Sequence, residues 1–282
     1  MNYIKLNRKR RNTTTIKYKN GVPYISYNAL EKIPWITHGF STRAGGVSEG
    51  CLSSMNLGHG RNDAEENVIR NHEIIAEAIG FDAHNIVASR QTHTTNVRVV
   101  SKEDCGKGVY KERDYDDVDG MITNEKNIVL ATYFADCVPL YIVDTKNKAI
   151  GLSHSGWRGT VGKIGQVTLE KMNEQYGTKP EDTVVCIGPS ICQNCYEISL
   201  DVAEEFMKAF PNHKEEILKD KGNDKFLLDL WECNRIIFEE AGVLPENINL
   251  PDLCTCCNSE FLFSHRATNG KRGNLAAFLS LK

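Results

Sequence analysis

A cysteine and a histidine stand at the two open ends of what reads as one β-hairpin. Ala135-Asp136-Cys137-Val138-Pro139 leads into an apolar run, and a second run ends in Ser153-His154-Ser155-Gly156-Trp157-Arg158-Gly159. Between the strands predicted over 138–143 and 149–153 lies Asp144-Thr145-Lys146-Asn147-Lys148, polar and of hairpin-loop length. A register that sets Asp144 opposite Lys148 leaves Cys137 and His154 paired directly or one step diagonally, with side chains roughly 5–8 Å apart. A thiol and an imidazole at that distance can share a metal ion or act as nucleophile and base.

A third group belongs with them. His93, in Ser89-Arg90-Gln91-Thr92-His93-Thr94-Thr95, lies where one apolar run ends and another, Val97-Arg98-Val99-Val100, begins. Together the three make a His/Cys/His set, which leaves the fourth position of a tetrahedral zinc to water or substrate. Taken singly, each histidine is more often a hydrogen-bonded structural residue. A second theme is anion capture. His154-Ser155-Gly156-Trp157-Arg158-Gly159-Thr160 runs into a predicted helix, Ser41-Thr42-Arg43-Ala44-Gly45-Gly46 sets an arginine beside a glycine pair, and Ser264-His265-Arg266 supplies another. Arg43, Arg158 and Arg266 can each grip phosphate or carboxylate in bidentate fashion, the ordinary alternative being a surface salt bridge.

Ten cysteines spread irregularly through the chain read as reduced thiols rather than a disulfide framework. Cys192-x-x-Cys195 and Cys254-Thr255-Cys256-Cys257 could together form a four-thiolate zinc site, although only the first pair is read as having ordinary spacing; the competing reading is buried or incidental thiols. Other chemistries lack their signatures. No His-x-His pair of the kind a copper oxidase uses appears, nor the combined His-x-Glu and Pro-Cys-x-x-Cys pattern of zinc base deaminases, nor a Gly-x-x-x-x-Gly-Lys phosphate loop.

The elements that must position these groups read as follows. Asp63-Ala64-Glu65-Glu66 resembles a capping box opening a helix over 64–79, with His72 as a packed helix residue and Gly80 as the stop. Further helices are predicted at 162–176, 200–210 and 230–241, and strands at 86–90, 96–100, 128–133, 138–143, 149–153, 183–187 and 274–280. Without a regular βαβ rhythm, this mixture predicts an α+β fold. Residues 1–20 read as a polar tail or edge strand, and 21–282 as a single catalytic domain.

The chain has 282 residues, 40% hydrophobic and 25% charged, enough for a full core. A net charge of −3 argues against a nucleic-acid partner despite the basic run Arg8-Lys9-Arg10-Arg11. No stretch reaches the roughly 18 apolar residues of a membrane span, and the start lacks the apolar core of a secretory signal, so the expected location is cytoplasmic.

Several ordered segments resemble the YfiH family, also called the laccase-domain or polyphenol oxidase family. They are His38-Gly39-Phe40-Ser41-Thr42-Arg43-Ala44-Gly45-Gly46-Val47-Ser48, Ser54-Met55-Asn56-Leu57-Gly58, Gln91-Thr92-His93, Asp119-Gly120-Met121-Ile122-Thr123, Ala135 to Leu140, and His154 to Gly159. Gly188-Pro189-Ser190-Ile191, Cys195-Tyr196-Glu197 and the stretch from Cys254 to Arg266 continue the match, which covers about residues 30–281.

The resemblance implies a layered α/β/β/α sandwich with mixed sheets, related to a toxin family with a Cys–His hydrolase site. It implies phosphorolysis of purine nucleosides (adenosine, inosine, guanosine, methylthioadenosine), with adenosine deamination as a second reaction. The family's metal ligands fall on His93, Cys137 and His154, with zinc the expected ion and copper the lesser alternative. Arg43 matches a cleft arginine; Gln91, Arg158 and Arg266 are further substrate-binding candidates. Asp136 and Glu197 are candidate proton donors, or else residues that orient a ligand. Thr94 and Ser155 replace the usual Gly and Ala beside ligands, and are expected to reshape the pocket. The rival readings are a Cys137–His154 amidase acting on cell-wall precursors, a copper-dependent phenol oxidase, and a binding module with structural zinc.

Overall fold

The computed structural model describes residues 4–6 and 13–282. The basic run Arg8–Arg11 and the other residues among 1–3 and 7–12 of the predicted tail lie outside the described residues. Apolar strands assemble into two six-stranded sheets. The first has the spatial order Thr14–Lys19, Val22–Tyr27, Ile36–Ser41, Leu275–Leu281, Val129–Phe134, Ile86–Ala88. The second runs Ile248–Asn249, Thr183–Ile187, Val138–Asp144, Ala149–Ser155, Gly120–Thr123, Val97–Val99. Both are mixed: the pairs at 86–88/129–131, 97–99/120–122 and 185–186/248–249 are parallel, the others antiparallel.

Phe40, Leu130 and Leu279 of the first sheet meet Tyr141, Val143 and Leu152 of the second in one buried core. Because the strands at the centre are covered on both faces, they read as continuous apolar runs instead of alternating ones. The helix Glu65–Ile79 lays Ile75, Ala76 and Ala78 on the outside of the first sheet, against Ile86, Ala131 and Phe278. The helices Ile164–Tyr176, Leu200–Ala209 and Leu230–Glu240 cover the second sheet, with Met172, Phe206 and Phe238 packed near Leu140 and Ile142. This is the expected α/β/β/α layering. A small sheet of Glu197–Ser199, Lys225–Leu228 and Leu218–Gly222 sits apart from both.

The hairpin differs in register from the sequence expectation. Asp144 pairs with Ala149 and Pro139 with His154, so Cys137 lies two residues beyond the partner of His154 and on the same sheet face. The cause is the turn: Asp144 accepts from the backbone N–H of Lys146 and Asn147 at 2.9 and 2.8 Å, and Lys148 takes a left-handed φ of 54°, leaving four residues in the loop.

The helix after Gly156 is also divided. A single turn, Trp157–Val161, stops at Gly162, and left-handed Lys163 (φ 56°) restarts the chain at Ile164. At the N-terminus of the Glu65–Ile79 helix, Ala64 is the cap and no capping box forms. Asp63 instead accepts from Ser48 Oγ, Asn56 Nδ2 and Asn67 Nδ2, tying the helix entrance to the preceding loop. His72 is buried, with Nδ1 2.8 Å from Val68 O and Nε2 3.0 Å from the Tyr133 hydroxyl, as a packed helix residue should be.

Candidate metal centre

Strand geometry brings His93, Cys137 and His154 together, with one donor atom of each lying within 4.8 Å of the others. His154 is the last residue but one of the strand Ala149–Ser155 and is buried; Cys137 precedes the paired strand; His93 projects from the loop after Ile86–Ala88. Cys137 Sγ lies 4.0 Å from His93 Nε2, and the two imidazoles stand edge to face with centroids 4.9 Å apart. Gly156 keeps the space clear, since a Cβ there would come within 2.7 Å of His93 Cδ2 and 3.3 Å of Cys137 Sγ.

Asp119 organises the set. Its carboxylate accepts from the backbone N–H of Thr92, His93 and Thr94 at 2.9 to 3.1 Å, and lies 2.8 Å from His154 Nδ1. That clamp holds His93 in a left-handed conformation (φ 69°), and it leaves His154 Nε2 as the free donor. Burial alone would raise the Asp119 carboxyl, but His154 and the backbone donors hold it below the usual range. Burial also pushes the Cys137 thiol up, yet His154 and His93 outweigh it and bring the thiol down to about 6. Burial pushes His154 down, and the thiolate and Asp119 lift it to about 9. Two imidazole nitrogens and a thiolate, oriented by a carboxylate behind one imidazole, form a donor set that fits a tetrahedral metal with one open position.

The cluster opens into a cavity of about 230 Å³ lined in part by Gln91, Tyr133, Arg61, Arg90, Arg113 and Arg272. Gln91 is committed: its amide nitrogen donates to Tyr133 O at 2.7 Å, and its oxygen accepts from Tyr133 N and Ser89 Oγ. Arg272 is the notable cation. Burial lowers its guanidinium to about 10, with Arg61 adding to the effect, and its Nε is buried without a hydrogen-bond partner among the described residues.

The arginines singled out from sequence lie elsewhere. Arg43 does not line this cavity; Nε donates to Ser53 O at 3.0 Å and Nη1 to Ser259 O at 2.8 Å, with the guanidinium over Phe263. Arg266 donates to Cys195 O and Glu197 O at 3.2 and 2.9 Å, while Arg158 stacks on Trp157. The Arg266 guanidinium also lies over the half-buried Tyr196 ring, 5.3 Å from its centroid. Asp136, at φ 91°, spends its oxygens on Thr255 Oγ1 (2.6 Å) and Arg266 N (2.7 Å). Glu197 pairs with Lys221 at 2.5 Å. Ser155 points away from the ligands, bonding Thr160 Oγ1 and Asn234 Oδ1 on the helix side of the sheet, so it does not reshape the cavity. Thr94 hydrogen-bonds Asp117 and Asp119. Gly46-Val47-Ser48-Glu49-Gly50 meets the Gly-x-Ser-x-Gly spacing of hydrolases, but Ser48 is buried and donates to Asp63, which makes it structural.

Arg61, Arg113 and Arg272 carry no signal of role in the bare sequence, and Asp119 was given none. Asp119 does open the quoted Asp-Gly-Met-Ile-Thr segment, just ahead of a strand, and that position was the available cue.

Fold and site define a protein of α/β/β/α layers carrying a Cys/His cluster that could hold a metal. The chain belongs to the family described as multi-copper polyphenol oxidoreductase laccase, which matches residues 37–282. It is 36% identical over 248 residues to purine nucleoside phosphorylase YlmD of Bacillus subtilis, covering 86% of this chain and 88% of that protein. It is 32% identical over 252 residues to purine nucleoside phosphorylase LACC1 of Homo sapiens, covering 87% of this chain and 55% of that one. Among solved structures, YfiH of Bacillus licheniformis superposes with a TM-score of 0.89 at 30% identity, covering 95% of this chain and 99% of the other. YlmD of Geobacillus stearothermophilus gives 0.88 at 30%, with the same coverage.

Proposed function

We propose that this chain is a zinc-dependent purine nucleoside phosphorylase whose metal is held by His93, Cys137 and His154. The observation that carries the reading is one cavity walled both by that ligand set and by arginines, with the Arg272 Nε buried and unpartnered. Arg272 is held in place through Nη1 by Gly273 O and Asn274 Oδ1, and its Nε hydrogen, uncommitted among the described residues, suits an oxyanion acceptor. The name purine nucleoside phosphorylase on relatives that share most of this chain supports the same substrate class.

In phosphorolysis a phosphate oxygen bonds to the ribose C1′ while the C1′–N9 bond breaks. Its electron pair leaves on the purine, which takes up a proton, and the products are free base and ribose 1-phosphate. Arg272 and Arg61 hold the phosphate against the anomeric carbon, an entropic and electrostatic contribution. Tyr133 offers an aromatic wall for the base. Asp119 keeps His154 in one tautomer, and Asp136, Arg43 and Arg266 position the loops around Cys137. Zinc, when bound, supplies Lewis-acid charge stabilisation at the reacting centre. Adenosine, inosine, guanosine and methylthioadenosine are the substrates to test, with deamination of adenosine as a further arm. The cytoplasm, which keeps thiols reduced, is the fitting compartment.

The test is a panel of these nucleosides incubated with zinc-loaded protein, with free base and ribose 1-phosphate quantified. Base release that requires phosphate supports the reading; no release from any purine nucleoside contradicts it. One observation favours a second reading. Cys137, His154 and Asp119 also have the order of a thiol hydrolase, with a thiolate beside an imidazole oriented by a carboxylate. Hydrolysis of an amide by metal-free protein, abolished by alkylating Cys137, would favour it.

A further inference from the structure

A second group of metal-binding side chains lies away from the cavity. Cys192 and Cys195 come from the turn after Ile191, and Cys254 and Cys257 from the turn that precedes Phe261, far apart in sequence. Their four Sγ atoms all lie within 4.8 Å of one another. Cys195 and Cys257 are 3.4 Å apart and Cys192 and Cys257 are 4.0 Å apart. Four thiolates at about 2.3 Å from a tetrahedral zinc stand close to that spacing from each other.

Three further features match such a site. Both pairs are Cys-x-x-Cys: the structure uses Cys254 and Cys257 and leaves Cys256 outside the set, so the second pair also has ordinary ligand spacing, contrary to the sequence expectation. The backbone N–H groups of Cys192 and Cys257 both donate to Cys254 Sγ, at 3.3 and 3.4 Å, supplying hydrogen bonds that stabilise a thiolate on the most buried of the four. All four positions are filled by protein, which is the pattern of a structural site and not a catalytic one.

We propose that Cys192, Cys195, Cys254 and Cys257 bind a structural zinc ion that locks the 188–197 loop to the 252–266 segment. The lock matters because these two segments also hold the cavity's surroundings. Thr255 N donates to Ser190 O at 3.1 Å, Thr255 Oγ1 and Arg266 N grip Asp136, and Arg266 reaches back to the carbonyls of Cys195 and Glu197. Asp136 immediately precedes Cys137. A metal at the four-thiolate site therefore braces the peptide that carries the sulfur of the first centre, while the proposal itself does not depend on what reaction that centre performs.

The test uses the full chain with Cys137→Ala, which removes a ligand of the first centre, titrated with cobalt(II) under reducing conditions. The expected result is one tightly bound equivalent with intense thiolate-to-metal charge transfer and tetrahedral visible bands, displaced by zinc. Adding Cys192→Ser and Cys257→Ser should weaken binding by at least 100-fold. No tight cobalt in the Cys137→Ala chain, or a spectrum without multiple thiolate ligands, overturns the proposal even if the triple variant fails to fold. So does a Cys195–Cys257 disulfide that persists under the reductant and excludes metal. Hydrogen exchange in 188–197 and 252–266 should slow on metal addition; exchange that is indifferent to metal contradicts the bracing role.

Discussion

At the scale of single residues, the proposed metal centre depends on a carboxylate that does not line the cavity. Asp119 fixes His154 through Nδ1 and holds three consecutive backbone amides around His93. Asp119→Asn keeps the shape but removes the charge and places a donor where acceptance is needed, so we expect zinc affinity to fall about 10- to 100-fold. Competition with a chromophoric chelator measures this, and unchanged affinity would refute the organising role. The meeting of His93, Cys137 and His154 was legible in the sequence because Cys137 and His154 flank one hairpin, while His93 needed only a strand end. The cavity arginines were not. Arg61, Arg113 and Arg272 come from separate loops, and nothing in their local sequence separates a cavity-facing guanidinium from a surface one. Arg43, which its glycine-rich setting made conspicuous, is a staple between Ser53 and Ser259.

At the scale of elements, periodicity located the four long helices and the central strands, since buried strands leave continuous apolar runs. Thr14–Lys19 is the edge strand that was one of the two readings of residues 1–20, but its hairpin partner Val22–Tyr27 went unassigned, although Asn20-Gly21 between them is the strongest short hairpin signal. The polar composition of the first strand hid it: as the outermost strand of its sheet it has one free edge and exposed side chains, so it resembles a tail. Both turn residues take positive φ, 52° and 79°, as a type I′ turn requires. Gly21→Ala should therefore cost about 1 kcal/mol, with nothing nearby to clash and backbone conformation as the sole cause. Chemical denaturation reads it, and a neutral result would contradict the assigned turn. The short strands of the third sheet, 197–199, 218–222 and 225–228, are too brief and polar for a period to register.

At the scale of the whole molecule, burial of two histidines links folding to pH. His38 and His72 are both lowered from 6.5 to about 4, in each case chiefly by desolvation. The unfolded chain takes up these protons below about pH 6.5 while the folded chain does not, so stability is complete above that pH and falls as pH drops towards 4. Each residue contributes about 2 kcal/mol of loss between pH 6.5 and 5. His72→Asn should flatten that slope whatever it does to stability at pH 7; an unchanged slope would mean the histidine is not buried in neutral form. The layered architecture explains why the catalytic reading depends on so few groups. Two sheets and two helix layers form the frame, and the end of one central strand with the loops beside it brings His154, Cys137, His93 and the cavity arginines together.

The most direct measurement of the central claim is the rate of ribose 1-phosphate formation from adenosine or inosine, followed as metal-free protein is titrated with zinc at fixed phosphate. The rate should rise in proportion to occupancy of the His93/Cys137/His154 centre, reach a plateau near one equivalent at that centre, and be absent in Cys137→Ala. Formation of the same product at full rate by metal-free protein or by Cys137→Ala, or none from any nucleoside at full zinc occupancy, would contradict it.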